Sequence, residues 1–166
     1  MTNITLFAQI LQHADRKIFN ELAESYQIDK YHKGINAWTH MVNMLFCHFA
    51  KANSLREIVN GLMSTSGNLN HLGIMEKTPC KSSLSYLNEH RDWRFFRDYY
   101  NRLKEKFQSE GEFKRNKFKN IERKIFLIDS SLINVCINIF DWAKYRQQKG
   151  AIKLHTVIDF DGLLPE

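Results

Sequence analysis

Disulfides, membrane spans and loop-built scaffolds are each argued against by what this chain has little of. It holds 2 prolines and 7 glycines in 166 residues, and so few chain breakers favour helices over a fold made of turns. The 3 cysteines, Cys47, Cys80 and Cys136, are odd in number and far apart. That suits reduced thiols in a cytoplasmic protein better than a disulfide framework or a zinc site. Every apolar run is short and broken by charge, so no membrane span and no membrane partner is expected. The opening MTNITLFAQILQHADRK lacks a basic leader followed by an apolar run, which argues against a secretory signal. There are no internal repeats, no low-complexity tracts, no glycine-rich phosphate loop and no Gly-x-Ser-x-Gly elbow. The 7 histidines are scattered. His40 and His48 share a helix face with Met44 between them, but no third ligand stands at a metal spacing.

What is present is a core and a charge imbalance. The chain is 43% hydrophobic and 13% aromatic, enough to bury a core and unlike a disordered composition. The net charge of +6 is not spread evenly: residues 81–124 hold 13 Lys/Arg against 7 Asp/Glu, whereas the flanking thirds are close to neutral. A local basic concentration is the footprint of a surface that meets nucleic acid, or else of a solvated helix face with surplus lysines.

Periodicity divides the chain. Ile4, Phe7, Leu11, Ile18 and Leu22 fall on one face of an amphipathic helix over roughly 4–25. Ile35, Trp38, Val42, Leu45, Phe46 and Phe49 predict a second. In SLREIVNGLM, Ser54 and Glu57 form a capping box ahead of Leu55, Ile58, Val59 and Leu62. STSGN ends that helix, and NLNHLGI suits a short helical turn. After Pro79, the three- and four-residue spacing of Trp93, Phe96, Tyr100, Leu103 and Phe107 predicts a long helix. From about residue 108 the pattern fails; QSEGEFKRNKFKN is charged and aperiodic. Then the period changes. KIFLID reads as a strand, and AIKLHTVIDF alternates, with Ile152, Leu154, Thr156, Ile158 and Phe160 on one face. Asp161-Gly162 is a hairpin-turn signal. The expected fold is mainly α: a helical, helix-turn-helix-like domain over 1–108, a basic linker over 109–123, and the first strands of an α/β domain over 124–166.

Two constellations carry candidate chemistry. A capped helix from Ser54, a turn region and a helix opening KSSLSYLNEHR have the order of a helix-turn-helix module. Its second helix offers hydroxyls, an amide and an arginine, the types that contact phosphates and base edges. A helical bundle with a polar face fits the same pattern. The second is Asp129, at the end of the apolar run Ile125–Ile128. A carboxylate there is costly unless it is paired, hydrogen-bonded or metal-bound. It either caps the strand through Ser130 and Ser131 or belongs to a cluster of carboxylates that holds ions for phosphoryl chemistry.

SLREI, HLGI, KSSLSYLNEHRDWRFFRDYY and above all LIDSSLINVCINIFDWAKYRQQKGAIKLHTVIDFDGLLPE resemble transposases of bacterial insertion sequences, the insertion-sequence-four family of the DDE superfamily. The resemblance covers essentially the whole chain and is most specific at Ile128-Asp129-Ser130-Ser131 and Phe140–Arg146. It implies a helical N-terminal domain and a ribonuclease-H-like domain for DNA transposition, in which an Asp-Asp-Glu triad holds two ions, usually Mg²⁺. Asp129 matches the first, catalytic and metal-binding, Asp. The second Asp and the Glu have no counterpart here, so the resemblance implies a truncated transposase portion, catalytically incompetent alone. The implied partners are double-stranded DNA at the element's terminal repeats and a homodimer or a full-length transposase; the implied place is the bacterial cytoplasm, at the nucleoid. Lys81, Ser83, Asn88 and Arg91 are the candidate DNA contacts of the helical domain; Lys144, Arg146, Lys149 and Lys153 are candidate phosphate neighbours of the strands. Two rivals stand beside this. One is a self-contained metal-dependent nuclease using Asp129, Asp159, Asp161 and Glu166. The other is a non-functional remnant.

Overall fold

Where one amphipathic helix is expected over 4–25, the chain forms two. The computed structural model describes residues 3–31, 34–50, 52, 54–64, 73–74, 79–110, 124–135, 144–145, 149–160 and 164–165. Among these, α1 (Asn3–Gln12) and α2 (Arg16–Ser25) are separated at Asp15. The Asp15 carboxylate accepts from the backbone N–H groups of Lys17 and Ile18 at 2.8 and 3.1 Å, which satisfies the orphan donors of a new helix start. The apolar period runs through the break because both helices bury the same side, with Phe7, Leu11, Phe19 and Leu22 inside.

Next come α3 (Ala37–Phe49) and α4 (Leu55–Ser64). Asn36 caps α3, its side chain accepting from Thr39 N–H at 2.7 Å. Ser54 caps α4 as its capping box predicts, Oγ accepting from Glu57 N–H at 3.2 Å. The helix expected after Pro79 is also two: α5 (Lys81–His90) and α6 (Trp93–Glu110). Arg91 has extended backbone at ψ 134°, and Asp92 accepts from Arg94 N–H at 2.9 Å to start α6. The long helix is there as α6; its buried residues are Phe95 and Tyr99, and Trp93 is 66% exposed. The turn expected in NLNHLGI lies outside the described residues except for Gly73 and Ile74.

The chain divides into two compact units, Met1–Tyr99 and Tyr100–Glu166, with the division inside α6. In the first, α3 packs on α1 and α4, and α4 packs on α5. Phe19 lies at the centre of the aromatic core, edge-on to Trp38, Phe95 and Tyr99 at 5.1, 5.0 and 5.0 Å. Such pairs stabilise beyond their buried area. Arg16 covers the outer face of Trp38 at 4.1 Å.

The second unit holds β1 (Phe126–Val135), β2 (Lys144–Tyr145) and β3 (Lys149–Asp159) in the order β1-β3-β2. Both neighbouring pairs are antiparallel, with β1 and β3 in unbroken register from Phe126↔Asp159 to Val135↔Gly150. The chain turns back beyond Phe160: Asp159 N–H donates to Leu164 O at 3.0 Å, and Ile158 bridges to Pro165. The turn residues Asp161 and Gly162 lie outside the described residues, as does 111–123, most of the expected linker. The mainly helical chain that gives way to antiparallel strands is as expected.

Gly73 (φ +68°) and Gly34 (φ +85°) both sit in the left-handed region, where a Cβ costs about 1 kcal/mol. A Cβ on Gly34 meets nothing within 4 Å, whereas one on Gly73 falls 2.6 Å from Arg16 Nη1 and 3.0 Å from Trp38 Nε1. Gly73→Ala is therefore expected to lower stability by roughly 2–3 kcal/mol, because it adds the displacement of Arg16 from Trp38 to the backbone strain that Gly34→Ala suffers alone. Urea unfolding of the two variants checks this; equal losses would mean that the contact with Arg16 and Trp38 contributes nothing.

Candidate nucleic-acid interface and strand carboxylate

Helix α5 starts after the buried Pro79 and is held to the core by Leu84, which is 0% exposed. With Leu84 inward, the 3.6-residue period turns Leu87, Asn88 and Arg91 toward the protein. Lys81, Ser82, Ser85, Tyr86, Glu89 and His90 are exposed. The outer stripe Ser82–Ser85–Tyr86–Glu89 is polar along its length, and the Tyr86 ring stacks on His90 at 4.0 Å. At the start of α5 the exposed Cys80 Sγ lies 3.1 Å from both Ser82 Oγ and Ser83 Oγ. Those hydroxyls donate to the thiolate and pull the Cys80 pKa down to about 7.

The four helical candidates for DNA contact do not share a surface. Lys81 is exposed, and Ser83 is half-buried with its hydroxyl on Cys80. Asn88 and Arg91, expected on the DNA side, are corrected to internal ties. The Arg91 side chain is 4% exposed and forms an ion pair with Asp29 at 2.9 Å. The same Nη2 donates to Ile35 O at 3.1 Å. Burial pushes the guanidinium below its usual pKa, and Asp29 opposes that shift. Asn88 Oδ1 lies 2.7 Å from His40 Nε2. Sequence alone missed this because an arginine at a helix exit suits a phosphate and a buried carboxylate equally well.

His40, Asn88 and Arg91 line a cavity of about 260 Å³ in the first unit, with Met44, Leu45, Leu87 and Phe96 as apolar walls. The exposed lining residues His48 and Trp93 mark its open side. The shared face of His40, Met44 and His48 is thus present, as part of the cavity wall. His40 is 4% exposed. Burial, with Arg91 adding to it, holds the imidazole neutral at a pKa of about 4, against the opposing pull of the Asn88 bond. With Asn88 Oδ1 as acceptor, Nε2 carries the proton and Nδ1 presents a lone pair. Among the described residues, His40 Nδ1, Asn88 Nδ2 and Arg91 Nη1 are buried without a hydrogen-bond partner.

On the sheet, Asp129 is exposed and its Oδ2 accepts from Ser131 Oγ at 2.9 Å. A solvated carboxylate at a strand position avoids the burial cost that its apolar neighbours suggest. Directly paired residues share a face, so Asp129 lies with Thr156, Leu154 and Ile158, and Asp159 lies with Phe126, Ile128 and Val157. Asp129 and Asp159 are on opposite faces and three register positions apart, about 10 Å along the strand. These two do not converge on one ion; Asp161 and Glu166, the other carboxylates of the nuclease reading, lie outside the described residues. No group of three or more His, Cys, Asp or Glu able to hold a metal occurs among the described residues. Lys153 is exposed on β3. Lys144 and Lys149 sit on β2 and β3 and pair across them at Gly150 and Tyr145; Arg146 lies outside the described residues.

The fold is that of a mainly α protein with an antiparallel sheet at its C-terminal end. Residues 2–75 match a family described as a domain of unknown function, DUF4372. No curated protein and no solved structure matches the chain. No helix among the described residues is long and apolar enough to cross a membrane.

Two outcomes follow from the inward side of α5. Arg91→Ala leaves the Asp29 carboxylate without its guanidinium and should cost about 3 kcal/mol, whereas Lys81→Ala should stay within about 0.5 kcal/mol; denaturant melts of both variants decide it. His40 titrates at 6.5 when unfolded and at about 4 when folded. The folded state binds that proton less readily, so stability is full above pH 6.5 and drains away as the pH falls toward 4, by roughly 3 kcal/mol. His40→Gln should flatten that part of the stability–pH profile, and a folded His40 imidazole signal that titrates near 6.5 by NMR would contradict it.

Proposed function

We propose that this chain binds double-stranded DNA through its helical unit, as the N-terminal portion of a transposase of the insertion-sequence-four family. The observation that carries the reading is the exposed polar face of α5, which opens the most basic segment of the chain, 81–124, with 13 basic against 7 acidic residues. Short hydroxyls, a lysine and an aromatic side chain on one helical face suit phosphate and groove contacts. Backbone phosphates supply most of the affinity of such a surface. Arg94 and Arg97 stand near the start of α6 in exposed pairs with Asp92 and Asp98. Exposed pairs of this kind contribute little and exchange readily for a phosphate.

The strand residues support the same family reading. The most specific part of the resemblance, Ile128-Asp129-Ser130-Ser131, falls on β1, where Asp129 is exposed. Asp129 is one carboxylate of a site that needs about three, because Mg²⁺ demands ordered octahedral coordination. The reading is therefore DNA binding at element ends without strand cleavage by this chain alone, alongside a second copy or a complete transposase.

The test uses the full chain and duplex DNA. Affinity should fall steeply with salt, with a log–log slope of about −0.9 for each phosphate neutralised. Lys81→Glu should weaken binding more than Lys30→Glu at an exposed position in the turn that follows α2. Bound DNA should slow alkylation of Cys80, whose thiol titrates near 7, at the start of the proposed face. Mg²⁺ or Mn²⁺ should not induce nicking of plasmid carrying the element ends. Flat, salt-insensitive titrations with Cys80 equally reactive would remove the DNA reading. Nicking abolished by Asp129→Ala would favour the nuclease.

A further inference from the structure

We propose that two copies of this chain associate edge to edge through β1, antiparallel about a two-fold axis at Ser130, so that their sheets become one. Among the described residues, β3 lies on one side of β1 and no strand lies on the other. The backbone fixes which groups face that open edge. Phe160 N–H donates to Ile125 O at 3.0 Å at the end of the ladder. Antiparallel pairs alternate between bonded and non-bonded, so the odd-numbered residues of β1 bond to β3. Phe126, Ile128, Ser130, Leu132 and Asn134 therefore turn N–H and C=O outward. The far side of β3 obeys the same alternation: Asp159, paired with Phe126, sends its N–H away from β1 to Leu164 O at 3.0 Å. Residues 126–131 are all exposed, Ile128 at 75%, so that stretch of the edge is open to a partner.

Edge strands are kept from pairing by shortness, lysines, proline or bulges. Strand β1 has none of these: it runs 10 residues in unbroken register, and Asp129 is its one charge. The edge along β3 is guarded. It is taken by β2 at Lys149 and Gly150 and by Pro165 at Ile158, and it carries exposed Lys153 and His155 between them. The sequence of β1 suits its own copy, because an isologous pairing must centre on one residue. Centring on Asp129 would set that carboxylate directly against itself, and like charges so placed repel. Centring on Ser131 would set Asp129 opposite Ile133 of the second copy. Centring on Ser130 sets Ile128 opposite Leu132 and Leu127 opposite Ile133, apolar against apolar on both faces. It also sets Asp129 opposite Ser131, the same residue type whose hydroxyl it accepts within its own strand at 2.9 Å. The five outward-facing residues of each copy then exchange about ten backbone hydrogen bonds.

Sedimentation equilibrium of the full chain tests this, and a charge swap at the axis makes the test specific. The wild-type chain should dimerise with a Kd of roughly 1–100 µM, as suits a small interface. At the axis Ser130 faces its own copy, so Ser130→Asp and Ser130→Lys each place like charges directly opposite and should each weaken self-association at least about tenfold. An equimolar mixture of the two variants should recover association, because Asp then meets Lys. Recovery also shows that both variants are folded, since a misfolded sheet would not pair again on mixing. The dimer is overturned if the wild-type chain stays a monomer up to about 500 µM. The placement at β1 is overturned if the dimer survives either substitution, or if the mixture stays monomeric. The proposal does not rest on DNA binding, and the assay contains no DNA: a monomer that binds duplex with a steep salt dependence would end the dimer and leave the DNA reading standing.

Discussion

One oxygen of Asp29 sets the geometry of the helical unit. Oδ1 accepts from Ala37 N–H at 2.7 Å, in the first turn of α3, and from Arg91 Nη2 at 2.9 Å, where α5 gives way to α6. Arg91 returns the tie by donating to Ile35 O at 3.1 Å. A buried ion pair is weak evidence for net stability, since removing charges from water costs several kcal/mol per ion. Its value here is positional. It links segments 62 residues apart in sequence and fixes where two helices begin and end. His40 is one turn into α3 from Ala37, and Asn88 is one turn back along α5 from Arg91. The His40–Asn88 bond and the cavity behind it are consequences of that pin.

The same constraint explains how much of the chain was legible beforehand. Helix content, the capping box at Ser54 and the change to a two-residue period were all readable, because each is a local pattern that burial enforces. The breaks at Asp15 and Arg91–Asp92 were not. At both, an aspartate starts a new helix without disturbing the apolar period, so the pattern continues where the hydrogen-bond ladder does not. Helix α6 has two aromatic stripes, and spacing alone favours the longer one through Trp93 and Phe96. Burial favours Phe95 and Tyr99 because Phe19 meets both edge-on, a choice made by α2, which no inspection of α6 discloses.

Residue type likewise misled at the candidate interface. Asn88 and Arg91 are good DNA-contacting residues by chemistry, but type says nothing about direction. Leu84 fixes the rotation of α5, and Asn88 and Arg91 lie one and two turns from it on the same side. The sheet behaved differently. Alternation placed Ile152, Leu154, Thr156 and Ile158 on one face, and the β1–β3 register puts Asp129 on that face too. Only the register separates Asp129 from Asp159, and register depends on strands paired across a connection of more than a dozen residues.

The two units differ in how far each satisfies its own apolar residues, and this bears on which function each can support. In the helical unit the large side chains at the centre, Phe19, Phe95, Ile58 and Leu84, are at most 1% exposed, so the α5 face rests on a finished core. In the sheet, Ile128 is 75% exposed on one face and Leu127 is 42% exposed on the other. A small sheet open on both faces gains little from burial and presents a row of unpaired edge groups. On the proposed reading, recognition of DNA and the chemistry of Asp129 therefore rest on unequal foundations. Recognition needs only the rotation of one helix that Leu84 and Arg91 already fix. Placing a metal ion needs Asp129 held to within a fraction of an ångström, which a strand covered on neither face does not provide. Burial of Ile128 or Leu127 against a further surface is the physical step that would rigidify β1, and with it the carboxylate.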